Sequence, residues 1–263
     1  MYNKILSLLL FVLLLAFPIL LKAQAPPTYD RGMYTAKGDT LPYRVLFPIN
    51  FDPSKKYALI IVLHGDDERG NDNEAQLDRG SSLFTQGPVR QLYPAIVVFP
   101  QCPKDGYWSD VQITHDSTGT KYVFPTDAKP TKAMHTLMGF IDDFLEKPFV
   151  NLTRVYIGGT AMGGMATFEL IGREPKLFAA AFAICGGDNS LNAKKYAKKV
   201  PVWIFHGEKD TVIPSDHSYV MADAIKAAGG DPKFTLYPND GHDCANDAFA
   251  EPGLMQWLFS HSK

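Results

Sequence analysis

The stretch RVYIGGTAMGGMATFEL, residues 154–170, decides the reading. An apolar, strand-like run from Val155 to Ile157 meets a cluster of glycines, and a helix-compatible run from Met162 follows. A sharp strand–turn–helix with the pattern Gly-x-Ser-x-Gly lifts a serine hydroxyl above the end of a parallel sheet. Here the pattern reads Gly159-Thr160-Ala161-Met162-Gly163, with alanine at the apex. Gly159, Gly163 and Gly164 keep the framework of such a turn, so its shape is expected to persist without the hydroxyl.

Outward from the turn, four runs are apolar without alternation: 57–65, 95–101, 178–187 and 200–207. Continuous apolar strands belong to sheets covered on both faces, which are usually parallel. Helical patterns lie between them. Met134, Leu137, Met138, Ile141, Phe144 and Leu145 fall on one helix face over 131–146, between Pro130 and Pro148. A second helix is expected over 215–228, capped by Ser215 and ended by Gly229-Gly230. Strands alternating with helices predict an α/β, doubly wound, mostly parallel sheet flanked by helices, with right-handed crossovers.

Ligands of such sheets sit beyond the carboxyl ends of the strands. Those ends carry HGDDERG after 57–63, PQCPKDGYWSD after 95–99, CGGD after 178–184, HGEKDTVIP after 202–206 and PNDGHDC after 233–237. A nucleophile–acid–histidine triad built on a nucleophile elbow follows that chain order. Position 161, Asp210 and His242 stand in it, each on a loop after a strand. A carboxylate at Asp210 would hold the His242 imidazole in its working tautomer and stabilise the protonated ring.

These motifs resemble the phospholipase/carboxylesterase branch of the α/β-hydrolases, including polyhydroxybutyrate-depolymerase-like members and predicted peptidases. The likeness rests on LHGDDERGNDNEAQL, FPQCPKDGYWSDV, AFAICGGD, FHGEKDTVIP and NDGHDCANDAF, in order across about residues 40–260. It implies an α/β-hydrolase fold and carboxylic-ester chemistry on small or polymer-borne acyl esters. It also implies an oxyanion hole from the N–H of Met162 and that of Gly65 or Asp66. Such donors meet the charge that develops on a tetrahedral intermediate. The triad mechanism calls for no cofactor, and no histidine or carboxylate spacing suggests a metal.

Other residues have plainer readings. His64 reads as a loop-shaping group, and Asp66, Asp67 and Glu68 as loop-fixing groups paired with Arg69. Trp108, with Tyr107, reads as a wall of the substrate cleft or as an anchor of a surface loop, and Cys185 as a residue lining the pocket from the next strand end. Cys244 lies beyond His242 rather than opposite it, so it is not read as a nucleophile. Cys102, Cys185 and Cys244 lack a ligand spacing and read as small buried hydrophobes.

Residues 1–25 have the form of a secretory signal peptide: a charged start, the apolar run ILSLLLFVLLLAF and small residues near Ala23 and Ala25. That predicts a secreted or periplasmic protein without a stable membrane anchor. Residues 26–263 are expected to form one domain, with 25–30 as a loose lead-in. A net charge of −2 argues against nucleic acid and anionic membranes as partners.

Ala161 has no oxygen with which to attack a carbonyl. Thr160 points away from the apex on a tight turn and is not expected to reach His242. The alanine fits an engineered knockout, a natural non-catalytic member, or a slow hydrolase using a water activated by His242. Two function classes remain: an impaired esterase scaffold, and a binding module that holds an ester or acylated glycan without turnover.

Overall fold

The computed structural model describes residues 28–263 apart from 37, 118 and 127; the expected signal peptide lies outside the described residues. Ten strands occur among them: β1 (Asp30–Ala36), β2 (Asp39–Leu46), β3 (Tyr57–Leu63), β4 (Ala95–Pro100), β5 (Gln112–Asp116), β6 (Gly119–Val123), β7 (Val150–Thr160), β8 (Ala180–Ile184), β9 (Val202–Gly207) and β10 (Lys233–Tyr237). The helices are α1 (Ser81–Thr85), α2 (Gly87–Leu92), α3 (Lys132–Leu145), α4 (Met162–Arg173), α5 (Ala193–Tyr196), α6 (Asp216–Ala227), α7 (Ala245–Ala250) and α8 (Leu254–Phe259). Eight strands form one sheet in the order β1-β2-β4-β3-β7-β8-β9-β10, while β5 and β6 pair by themselves. From β4 to β10 every pairing is parallel; β2 joins β4, and β1 joins β2, antiparallel. This is the expected α/β-hydrolase architecture.

The unbroken apolar runs have a simple cause. Successive side chains of a strand point to opposite faces. Leu59, Ile61 and Leu63 enter a core layer with Leu137, Phe140 and Phe144 of α3 and Ala166 of α4. Ile60 and Val62 enter the other layer, with Phe84 of α1, Phe249 of α7 and Leu254 of α8. Both faces are covered, so neither can be polar. Truncating a residue such as Ile61 to alanine would cost about 2–5 kcal/mol through lost transfer energy and the cavity left behind.

Helix ends follow local chemistry. Thr131 Oγ1 accepts the Met134 N–H at 3.0 Å and caps α3. Gly229, at φ +83, ends α6: its N–H donates to Lys226 O and that of Gly230 to Ile225 O, both at 2.9 Å. Ser215 differs from expectation. It precedes α6 but makes no side-chain cap, because its own backbone is already helical (φ −60, ψ −18).

Two hairpins were not anticipated. The β1–β2 pair extends the sheet edge, where β1 alternates exposed and half-buried residues and β2 buries only half of its residues, so neither shows an unbroken buried run. The expected lead-in is therefore corrected at Tyr29 and Asp30. Tyr29 is buried edge-on against Phe99 and donates its hydroxyl to Ser81 O at 2.8 Å, and Asp30 opens β1. The β5–β6 hairpin lies apart from the main sheet.

Candidate active site

The end of β7 sets the geometry. Ala161 stands between β7 and α4 at φ +49, ψ −113, a conformation that L residues rarely adopt. Its N–H donates to Ile184 O at 2.9 Å and its carbonyl accepts the Met165 N–H at 2.9 Å. The flanking glycines explain how the turn is enforced. A Cβ on Gly159 or Gly163 would collide with the Leu63 carbonyl, and one on Gly164 with the Ile184 carbonyl. Backbone thus packs on backbone from β3 and β8. Met162 opens α4, where the first N–H groups have no carbonyl one turn earlier to accept them.

The acid and the histidine meet across two other strand ends. Asp210 follows β9, and His242 opens the 3-10 turn His242–Cys244 after β10. Asp210 Oδ2 accepts from His242 Nδ1 at 2.8 Å, which leaves Nε2 as the ring's free edge. Asp210 Oδ1 accepts the N–H groups of Val212 and Ile213 at 2.8 and 2.9 Å. Burial alone would raise the Asp210 pKa. Hydrogen bonds from His206 and His242, the nearby His242 charge and the Ile213 N–H outweigh it and hold the carboxyl well below its ordinary range. Ile213 shares one small apolar cluster with Ala161 and Met165, which joins the acid's loop to the turn.

His206 is a member of this network that sequence reasoning missed. It is the next-to-last residue of β9 and fully buried, with Nε2 3.3 Å from Asp210 Oδ2 and 2.9 Å from Ile213 O. Facing a carbonyl and a carboxylate, that nitrogen carries a proton. Nδ1 lies 2.7 Å from Ser218 Oγ on α6. Its only local signal is a histidine four residues before Asp210 on an apolar strand, which looks the same as a packed core residue. Cys185, His206 and Asp210 offer ligand atoms within 4.8 Å of one another, a spacing a metal ion could use. Each is already committed: Asp210 to His242 and backbone N–H groups, His206 to Ile213 O, and Cys185 to Cys244 at 2.9 Å.

His64 shapes the β3 loop, as expected. Its Nε2 accepts the Cys102 N–H at 2.9 Å, so Nδ1 carries the proton and donates to Gly65 O. Burial, against the pull of Gly65 O, lowers its pKa to about 4, so the ring is neutral near pH 7. The C=O and N–H of one trans peptide point in opposite directions. By holding Gly65 O, His64 therefore also aims the Asp66 N–H. Burial raises the pKa of the neighbouring Glu68 carboxyl against the charge of Arg79 and, to a lesser degree, the Gly65 main chain.

The expected pairing of the loop acids with Arg69 is corrected. Glu68 pairs with Arg79 at 2.9 Å, whereas Arg69 donates to the carbonyls of Asp66 and Gly106. Two residues expected at the cleft are also placed elsewhere. Trp108 is fully buried beside His64, and Cys185 is buried against Cys244, so neither presents surface to a ligand. The wall next to Ala161 is instead Met165 and Ile213 with Tyr107, Val111, Tyr122 and Phe124. Tyr122 comes from the β5–β6 hairpin, and both it and Phe124 set their edges against His217 at 5.7 and 5.8 Å. Thr160 Oγ1 is buried and has no hydrogen-bond partner among the described residues.

Residues 48–251 match the family model described as phospholipase/carboxylesterase. A solved thermostable esterase superposes with a TM-score of 0.79 at 29% identity, covering 90% of this chain and 64% of that one. A ferulic acid esterase from Anaeromyces mucronatus superposes at 0.65 and 16% identity, over 91% of this chain and 92% of its own, which shows shared fold. Among curated sequences, a bifunctional acetylxylan esterase/xylanase of Neocallimastix patriciarum is 32% identical over 106 residues, 37% of this chain and 16% of that protein. Dipeptidyl-peptidase 5 of Porphyromonas gingivalis is 23% identical over 251 residues, 81% of this chain and 34% of its own length. The chain thus spans well under half the length of these curated relatives. With a family model matched over most of its length, and an elbow, an acid and a histidine at the ends of one parallel sheet, the chain belongs to the phospholipase/carboxylesterase family of α/β-hydrolases.

Proposed function

We propose that the chain is an exported esterase scaffold for acyl esters whose nucleophile position is filled by Ala161, so that ester hydrolysis is lost or very slow. One observation carries the reading. A hydrogen-bonded Asp210–His242 pair stands at 2.8 Å, while the apex of a strained elbow bears only a methyl group. With serine at 161, the hydroxyl would attack the ester carbonyl and His242 Nε2 would take its proton. Asp210 would stabilise the imidazolium, and the Met162 and Asp66 N–H groups would receive the oxyanion. Without it, only a water beside His242 can attack. Loss of a triad serine costs on the order of a million-fold in turnover, or roughly 8 kcal/mol of barrier. The aromatic and apolar wall of Tyr107, Tyr122, Phe124 and Met165 suits a flat or short acyl group. The leader-like residues 1–25 support export.

A paired assay of p-nitrophenyl acetate hydrolysis by the chain and by Ala161→Ser tests the reading. Serine should confer turnover and labelling by a fluorophosphonate; if neither appears, the triad assignment fails. A second reading is that the pocket binds acylated glycans or esters without turnover, favoured by the elbow's retained shape. A melting shift with acylated sugars supports it, and rapid turnover by the unaltered chain removes it.

A further inference from the structure

We propose that Cys185 and Cys244 form a disulfide that fastens the His242 turn to the end of β8. Their sulfurs lie 2.9 Å apart. A bonded pair stands at about 2.05 Å, so closure asks for under ~1 Å of movement. Cys185 directly follows β8 at φ +50, a left-handed backbone uncommon for a side-chain-bearing residue, and its N–H is pinned to Phe205 O at 2.9 Å. Cys244 closes the 3-10 turn that His242 opens. Both are buried in the same core layer, beside Ile184, Phe205 and Ala245. The third cysteine does not compete: Cys102 sits in the opposite layer, and its N–H is bound to His64.

The reaction is a dithiol–disulfide exchange with a disulfide oxidant such as oxidised glutathione. One cysteine, as thiolate, attacks the oxidant's S–S bond and releases one oxidant thiol. The second then displaces the mixed disulfide, forming Cys185–Cys244 and releasing the other oxidant thiol. Two electrons end on the oxidant's sulfurs, and the two cysteine protons leave with them. The exchange belongs to folding, before the pair is covered. In the folded chain, the hydrogen bond to Cys244 and then burial push the Cys185 thiol far above its usual range, so Cys185 is a poor nucleophile once the core has closed. The closed loop encloses β9, α6 and β10, and with them Asp210 and His242. Reduction would therefore remove a covalent tie between the end of β8 and the turn that carries His242.

The test is to refold the full chain with oxidised glutathione, denature it, alkylate with N-ethylmaleimide and weigh it. One added group is expected before reduction and three after, with a linked 185–244 peptide on digestion. The melting temperature should fall by about 5–15 °C in a phosphine reductant. Cys185→Ala or Cys244→Ala should abolish that dependence. Three alkylated thiols after oxidative refolding, or a linkage through Cys102, would overturn the assignment even if the alanine variants fail to fold.

Discussion

The elbow and the Asp210–His242 loops are built to different standards of completeness. The elbow keeps its backbone at full cost: an L residue at φ +49, ψ −113 and three glycines that cannot grow a Cβ. Its apex contributes no polar side-chain atom. The loops keep their side chains: a carboxylate taking hydrogen bonds from His242 and two N–H groups, and a second histidine alongside. The difference teaches that the shape of a site and its reactive atom are encoded separately. The shape resides in many residues and the reactive atom in one.

Breaking or sharpening that contrast starts with the missing atom. Ala161→Ser should raise kcat for p-nitrophenyl acetate by about 10³-fold or more, toward the million-fold effect typical of a triad serine. A gain below about tenfold would mean that the loops are not poised for the elbow. In the Ala161→Ser background, Asp210→Asn should lower kcat by about 10⁴-fold, because the imidazole would be held in the wrong tautomer. An unchanged rate would make the acid a structural group only.

The next effect concerns stability. His64 is neutral in the fold to about pH 4, while in the unfolded chain it takes a proton near pH 6.5. The unfolded state thus binds more protons across that window, and stability falls as pH drops from about 6.5 to 4, by up to about 3 kcal/mol. Urea midpoints across this range should show the slope, and His64→Gln should flatten it. Asp210 adds its own loss at lower pH. Its folded pKa is depressed, so its contribution is present above the unfolded value near 3.9 and disappears as pH falls toward the folded one. The smallest expected effect is at the apex. Ala161→Gly should stabilise by about 1 kcal/mol, as relief of a strain of about 1–3 kcal/mol outweighs the added freedom of the unfolded chain. A destabilised glycine variant, read by melting temperature, would show that the alanine methyl's packing on Met165 and Ile213 matters more than the strain.

The parallel half of the sheet was readable because its strands are buried on both faces, and 57–63, 95–100 and 202–207 announce that as unbroken apolar runs. The antiparallel pairs, β1–β2 at the sheet edge and β5–β6 apart from it, were not. β1 leaves Met33 half exposed, and every residue of β5 is exposed, so neither strand shows such a run. In the site, Asp210 and His242 could be placed by chain order, since each follows a strand into a loop. His206 could not, because its role depends on α6 and the Ile213 carbonyl arriving beside it. The Cys185–Cys244 approach brings together residues 59 positions apart. Trp108 and Cys185 were misplaced for the converse reason: proximity to a strand end does not say which way a side chain turns.

The contact of Gly163 against the Leu63 carbonyl has a genetic reading. Every alanine codon becomes a serine codon by a change at its first base alone. Since the turn is held by main-chain contacts rather than by its apex residue, position 161 stands a single nucleotide from a hydroxyl. That single base change would leave the glycine contacts that hold the turn untouched.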